Sequence, residues 1–172
     1  MTVRAALALG ANLGDRLSAL QGAVDLIAGA AGVRLVAISD VVETDPVGGP
    51  AQPAYLNAVV VADVDVAPSA LLAIAHSAEQ AARRTREVRW GPRTLDVDIL
   101  AVGDVVSDDP VLTLPHPRAH ERGFVLVPWA QVDPDFVIPG RGRVAELAAA
   151  VGDAGVRHRR DLVLVGAVGG RR

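Results

Sequence analysis

No cysteine occurs among the 172 residues, which excludes a disulfide framework and a thiolate-held metal and fits a reducing, cytoplasmic setting. Aromatic residues amount to only 3%, so Tyr55, Trp90, Phe124, Trp129 and Phe136 each carry unusual weight. Long hydrophobic runs are missing too. The apolar stretch after Met1-Thr2-Val3-Arg4 lasts only about five residues before Gly10, too short for a signal-peptide core or a membrane span. A soluble cytoplasmic protein with no membrane partner is the expectation. Positive charge is not in excess: a net charge of −3 and a pI near 5.8 argue against a nucleic-acid partner. We find no internal repeat, linker or low-complexity tract. What is present is 51% apolar residues, mostly Ala, Val and Leu, enough to fill the core of a single domain over residues 1–172. The ending Gly169-Gly170-Arg171-Arg172 is expected to fray from about residue 168.

Hydrophobic periodicity gives the order of elements. Residues 3–9 form a short apolar run bounded by Gly10 and predict a buried strand. A turn at Gly10–Arg16, with Asp15 or Gly14 near the helix start, leads into Leu17, Leu20, Val24 and Ile27 at helical spacing, up to the glycines at 29 and 32. Val33–Glu43 reads as a second strand and Tyr55–Asp65 as a third. The segment between them, Thr44 to Pro53, holds three prolines and two glycines and stays irregular. Pro68 suits the first turn of a helix that Leu71, Leu72, Ala75, Ala78, Glu79 and Ala82 continue toward Arg84. A fourth strand follows at Asp96. The order βαββαβ is the ferredoxin-like pattern of an α+β domain, an antiparallel sheet backed by two helices on one face. C-terminal additions are expected beyond it: a hairpin at Gly103-Asp104, an irregular Pro-rich stretch at 110–118, a short apolar segment at 124–132, a helix near 143–151 and a last strand near 161–168.

The run from Arg89 to Leu100 carries the most chemistry. It reads Arg-Trp-Gly-Pro-Arg-Thr-Leu-Asp-Val-Asp-Ile-Leu. On a strand, residues i and i+2 project from one face, so Asp96 and Asp98 lie side by side at roughly 7 Å, two strand rises. Leu95, Val97 and Ile99 then face a core. Two such carboxylates repel unless a cation joins them, and a hard divalent ion held by carboxylate and phosphate oxygens meets that need. A solvated polar edge is the bland alternative for Asp-x-Asp, but Asp is a poor strand former, and the flanking arginines and Trp90 supply what a phosphate and a flat ring require.

Four motifs together resemble one family, 6-hydroxymethyl-7,8-dihydropterin pyrophosphokinase. They are Leu9-Gly10-Ala11-Asn12-Leu13-Gly14-Asp15; Gln52-Pro53-Ala54-Tyr55-Leu56-Asn57; Arg89 to Leu100; and Leu114-Pro115-His116-Pro117-Arg118 with Glu121-Arg122-Gly123-Phe124-Val125-Leu126. The resemblance spans most of the chain. It implies transfer of the terminal pyrophosphoryl unit of ATP to the hydroxymethyl group of a reduced pterin, giving AMP. It also implies a ferredoxin-like scaffold, two Mg²⁺ ions and a monomer.

By the same resemblance Asp96 and Asp98 are the metal-binding pair, and Arg84 and Arg93 are the catalytic arginines. His76, Glu79, Arg84, Arg86, Arg89, Arg93, Ile99, Thr113, His116, Arg118 and Arg122 fall at ATP-binding positions. Thr44, Val47, Tyr55, Asn57, Trp90 and Phe124 fall at pterin positions. The chemistry suits these roles: a guanidinium fork grips phosphate bidentately, aromatic faces stack on a flat heterocycle, and an amide can both donate to and accept from its edge. His116 sits between two prolines and is expected to bind phosphate. For Phe124 beside Val125-Leu126-Val127, core packing is the alternative. The Gly/Pro-rich segments 44–53 and 83–93 suggest a cover that closes over substrate. Departures from the family pattern are Arg83 in place of a usual glycine, Ala11 where many members have Ser, and His76 where Gln is common.

Two other classes are compatible with Asp-x-Asp on such a sheet. A metal-dependent nucleotidyltransferase would need a basic template groove, which the net charge disfavours. A non-catalytic small-molecule binding module would have dispensable carboxylates.

Overall fold

After Arg4, every second residue of the first strand is small. In β1 (Val3–Ala11), Leu7 and Leu9 point to one face with Ala5 and Ala11, while the other face shows Arg4, which reaches Asp133, and then only Ala6, Ala8 and Gly10. The computed structural model describes residues 1–46, 53–84 and 95–168. After β1 come α1 (Arg16–Gly29), β2 (Val33–Ile38), β3 (Val42–Thr44), β4 (Tyr55–Val64), α2 (Pro68–Arg84) and β5 (Asp96–Val102). The chain continues through β6 (Ser107–Asp109), β7 (Leu112–Leu114), a 3-10 turn at Ala119–Glu121, α3 (Gly123–Val132), β8 (Val137–Ile138), β9 (Gly142–Arg143), α4 (Val144–Val151) and β10 (Arg157–His158).

The main sheet is antiparallel in the order β10-β3-β4-β1-β5, with β2 on the same edge of β4 as β3. This is the expected ferredoxin-like α+β core. On one face α1 buries Leu20, Ala23, Val24 and Ile27, and α2 buries Leu71, Ala75 and Ala78, against the larger side chains of the strands. These helical positions recur at three and four residues, one stripe per helix. Asp15 starts α1 by accepting from the Ser18 backbone N–H at 3.1 Å and from its hydroxyl at 2.8 Å, the N-cap device.

Several expectations are corrected. The two core helices lie on one face as expected, and the C-terminal additions bring α3 and α4 onto the opposite face, where Val125, Leu126, Trp129 and Val144 pack on Ala6, Val59 and Val61. The segment 124–132 is thus helical although Pro128 lies inside it. Burial of its apolar face outweighs the lost N–H. The run Val33–Glu43 is two strands rather than one. At the break, the Ser39 hydroxyl accepts from the Val59 N–H at 2.8 Å, so a side chain replaces a ladder partner. Gly103-Asp104 forms a turn that ends β5, but the hairpin lies further on. It joins β6 and β7 through Pro110-Val111, where the Asp109 carboxylate accepts from the Val111 N–H at 2.9 Å. Residues 112–114 are therefore strand, not irregular. The helix near 143–151 is present as α4. The last strand at 161–168 is not, although Leu164 reaches the core. The Gln21 amide bonds both backbone groups of Val165, at 2.7 and 2.9 Å, and so imitates a neighbouring strand. The terminal pairing falls to β10 instead.

Candidate active site

The small residues of β1 make the floor of a cavity. Gly10 lies between Asn57 on β4 and Asp96 on β5, and Ala8 lies between Val59 and Asp98. Two interstrand spacings, about 10 Å, therefore separate Asn57 from Asp96 with almost no side chain between them. A Cβ on Gly10 would stand 3.1 Å from Asn57 Oδ1. The resulting cavity, about 450 Å³, is within the range that holds small molecules.

The carboxylates line its β5 side. Strand alternation works as expected: Leu95, Val97 and Ile99 are buried in the α1/α2 core, and Asp96 and Asp98 face the opposite way. Glu79 Oε2 on α2 accepts from the Val97 N–H at 3.3 Å, tying down the outer edge of β5 between the two aspartates. At Leu100 the pairing with β1 skips one residue. The Leu100 carbonyl turns instead to the loop after β7 and accepts from the His116 N–H at 2.8 Å. That bulge, a device that re-aims groups next to sites, holds His116 beside the acidic strand. The Leu114–Pro115 bond just before it is cis.

His116 is half-buried, and burial lowers its pKa from 6.5. The Asp98 charge works against that, while Arg122 and Arg118 reinforce it. Its Nδ1 accepts from the Arg118 N–H at 3.2 Å. A neutral ring that accepts at Nδ1 carries its proton on Nε2. The imidazole is thereby set up as a hydrogen-bond donor.

The opposite side of the cavity is built from β3, β4 and the start of α3. Asn57 is 7% exposed and its Nδ2 donates to Thr44 Oγ1 at 3.0 Å, the partner that an amide among Leu56, Ala58 and Val59 requires. Tyr55 and Thr44 are directly paired across β4 and β3. Phe124 is half-buried, packs against the α3/α4 core and also lines the cavity, and the Arg122 guanidinium lies 5.7 Å from its ring centroid, a cation–π distance.

One cavity therefore gathers Thr44, Tyr55, Asn57, Asp96, Asp98, His116, Arg122 and Phe124. Other predicted positions lie off its lining. His76 is exposed on α2, Ile99 is spent in the core, and the Thr113 hydroxyl donates to the Asp109 carbonyl at 3.0 Å. Arg118 is exposed beside Glu121, and Glu79 is engaged with β5 as described. Val47, Arg86, Arg89, Trp90, Arg93 and the Arg84 side chain lie outside the described residues, as does most of the two predicted covering loops. Sequence reasoning missed Asp45, Pro46 and the trio Ala154, Gly155 and Val156 as cavity walls. The Asp153-Ala154-Gly155 turn signal was readable, but nothing local says what the turn faces.

The donor set suits a hard divalent cation. Asp96 and Asp98 offer carboxylate oxygens from adjacent same-face positions, the one or two protein carboxylates with which Mg²⁺ is held alongside substrate phosphates. Among the described residues no group of three or more His, Asp or Glu is arranged to hold a metal. The chain contains no lysine, so all 17 cationic side chains are arginines, the residue whose planar fork matches phosphate.

Fold and cavity define a ferredoxin-like α+β protein with a ligand site on one sheet face, acidic at one side and amide- and aromatic-lined at the other. Comparison with known proteins narrows this. The sequence model of 7,8-dihydro-6-hydroxymethylpterin-pyrophosphokinase (HPPK) matches residues 6–134. A Methylorubrum extorquens protein named 2-amino-4-hydroxy-6-hydroxymethyldihydropteridine pyrophosphokinase is 44% identical over 155 residues, covering 90% of this chain and 98% of the relative. A Pseudomonas aeruginosa protein of the same name is 39% identical over 158 residues, covering 92% and 98%. The chain belongs to the HPPK family. Among solved structures, wild-type Plasmodium falciparum HPPK-DHPS with STZ-DHP aligns with a TM-score of 0.70 at 14% identity, over 87% of this chain and 43% of the larger one. At that identity the likeness is one of fold. Among the described residues no helix is long and apolar enough to cross a membrane.

Proposed function

We propose that this chain transfers the pyrophosphoryl group of ATP to the hydroxymethyl group of 6-hydroxymethyl-7,8-dihydropterin, giving AMP and the pterin diphosphate, in the synthesis of tetrahydrofolate. The observation that carries this reading is the single cavity joining Asp96, Asp98 and His116 to Asn57, Tyr55 and Phe124, in a member of a family named for the reaction. The pterin hydroxyl oxygen bonds to the β-phosphorus, the bond between the β-phosphorus and the α,β-bridging oxygen breaks, and AMP leaves with that oxygen. The hydroxyl proton is released.

Asn57 pairs with the polar edge of the heterocycle, held in place by Thr44, while Phe124 and Tyr55 pack on the flat ring. Across a floor of Gly10 and Ala8, the hydroxymethyl group then reaches the acidic strand. Asp96 and Asp98 would hold Mg²⁺, a role that their paired carboxylates on the cavity wall support; bound there, the ion would neutralise phosphate charge. Neutral His116 donates through Nε2–H to a phosphate oxygen, which suits binding rather than proton abstraction. Arg122 lies at the cavity, and Arg84 and Arg93 are assigned as catalytic arginines by motif. Positioning and charge stabilisation of this kind are the main resources of phosphoryl-transfer enzymes. His76, Glu79, Arg86, Arg89, Ile99, Thr113 and Arg118 are assigned to the ATP side and Val47 and Trp90 to the pterin side on the same basis. For Ile99 the contact falls to the main chain, because the side chain is in the core. The protein is read as a single-domain cytoplasmic monomer.

Product analysis tests this directly. Incubated with Mg²⁺, ATP and the reduced pterin alcohol, the protein should yield AMP and a pterin diphosphate in equal amounts. Release of pyrophosphate would indicate nucleotidyl transfer, ADP a simple kinase, and an absence of turnover a binding module.

A further inference from the structure

The segment after α4 turns sharply at Asp153–Val156. The Val156 N–H bonds the Asp153 carbonyl at 3.0 Å, and Gly155 takes a φ of +76°, a conformation that favours glycine. The turn lays Ala154, Gly155 and Val156 along the cavity. It touches two walls at once. At the start of α3, a Cβ on Gly123 would stand 2.9 Å from the Gly152 carbonyl oxygen and 3.6 Å from Val156 Cγ2, so only glycine lets the segment approach this closely beside Phe124. At the other side β10 pairs with β3, Arg157 opposite Glu43, and the Arg159 N–H bonds the Val41 carbonyl at 2.9 Å.

A charged clip secures that pairing. The Glu43 side chain is only 14% exposed and meets Arg16 at 3.1 Å, Arg157 at 3.2 Å and Arg159 at 2.9 Å. Arg157 also bonds both carboxylate oxygens of Asp45 at 3.1 Å, and Asp45 itself lines the cavity. Burial alone would raise the Glu43 pKa, but hydrogen bonds from Arg157 and Arg16 and the charges of Arg159 and Arg16 outweigh it and hold the group below its ordinary 4.5. Glu43 therefore stays ionised and the clip stays closed at neutral pH.

We propose that residues 152–159 form the side wall of the heterocycle end of the pocket, with Val156 a specificity-determining contact and Arg157 and Glu43 its positioning residues. This wall lies beyond the stretch matched by the family model, which ends at residue 134. The proposal deepens the pyrophosphokinase reading and rests on it. The two fail separately: an absence of AMP from the wild-type protein sinks the reading, whereas a wild type that turns over while its wall variants behave identically sinks only the wall.

Steady-state kinetics on the full chain provide the test, with pterin and ATP varied in turn. Val156→Phe should raise KM for the pterin about tenfold and leave KM for ATP within twofold. Arg157→Ala should raise the pterin KM several-fold with kcat little changed, a split that a general loss of folded protein would not produce. If Val156→Phe does not fold, Ala154→Phe on the exposed turn adds the same bulk to the lining and should give the same selective rise. Unchanged pterin KM in a folded wall variant, or an equal rise for both substrates, would overturn the proposal.

Discussion

The two faces of the central sheet are made by the same strands and differ in what β1 puts on each. Toward α1 and α2 it offers Leu7 and Leu9, which close with Leu56, Val60, Val97 and Ile99 into a continuous apolar core. Toward α3 and α4 it offers Ala6, Ala8 and Gly10, and beyond the reach of Trp129 and Leu126 the face opens into the cavity. Strand alternation means that a single sequence run can specify both outcomes. A site here is the consequence of withheld volume as much as of the polar residues around it.

Substitutions on the open face should therefore cost activity, and those on the closed face stability. The largest effect is expected at Asp98: Asp98→Ala should lower kcat/KM by about 10³ or more, as for removal of a main charge-stabilising group, with the melting temperature nearly unchanged. Assays of purified, folded protein check both halves. Next comes Leu9→Ala, one residue from Gly10 but on the closed face. It should cost about 2–5 kcal/mol by cavity formation in denaturant titration, with kcat per folded molecule preserved. A loss of activity there without a loss of stability would break the comparison between the faces.

Gly10→Ala sharpens the comparison. The added Cβ stands 3.1 Å from Asn57 Oδ1, so pterin KM should rise by about tenfold, the equivalent of one displaced hydrogen bond, with little change in unfolding free energy. The smallest effect concerns pH. Because Glu43 is held below 4.5 in the folded state, the stability it contributes is complete above 4.5 and is lost as pH falls through the lowered folded value. Glu43→Gln should melt about 3 °C below wild type at pH 7, and the gap should narrow at acid pH. A gap that stays constant would argue that the arginine clip does not act through the ionised carboxylate.

Much of this was legible in the sequence because it follows from local rules. The two-residue period placed Asp96 and Asp98 opposite Val97 and Ile99, the Asp15 cap and the Leu20–Ile27 stripe gave α1, and Asn57 among apolar strand neighbours announced its need for a partner. What was not legible depends on long-range pairing. Ser39 splits Val33–Glu43 only because Val59 lies opposite it. Gln21 takes the place of a strand for Val165, and residues 124–132 become a helix against Pro128 because a sheet face is there to be covered. The wall at Ala154–Val156 is of the same kind, since Glu43 and Arg157 are 114 residues apart. No local window contains the reason for their meeting.

The scarcity of aromatic side chains offers the most direct test of the open-face account. With one tyrosine and two phenylalanines in the chain, intermolecular NOEs from the ring-methylene and hydroxymethyl protons of the reduced pterin, bound with Mg²⁺ and a non-hydrolysable ATP analogue, can be assigned without ambiguity. NOEs are expected to Tyr55 and Phe124 and none to Phe136, which packs against buried Trp129 with ring centroids 5.4 Å apart. Cross-peaks to Phe136, or to none of the three rings in a saturated complex, would contradict it.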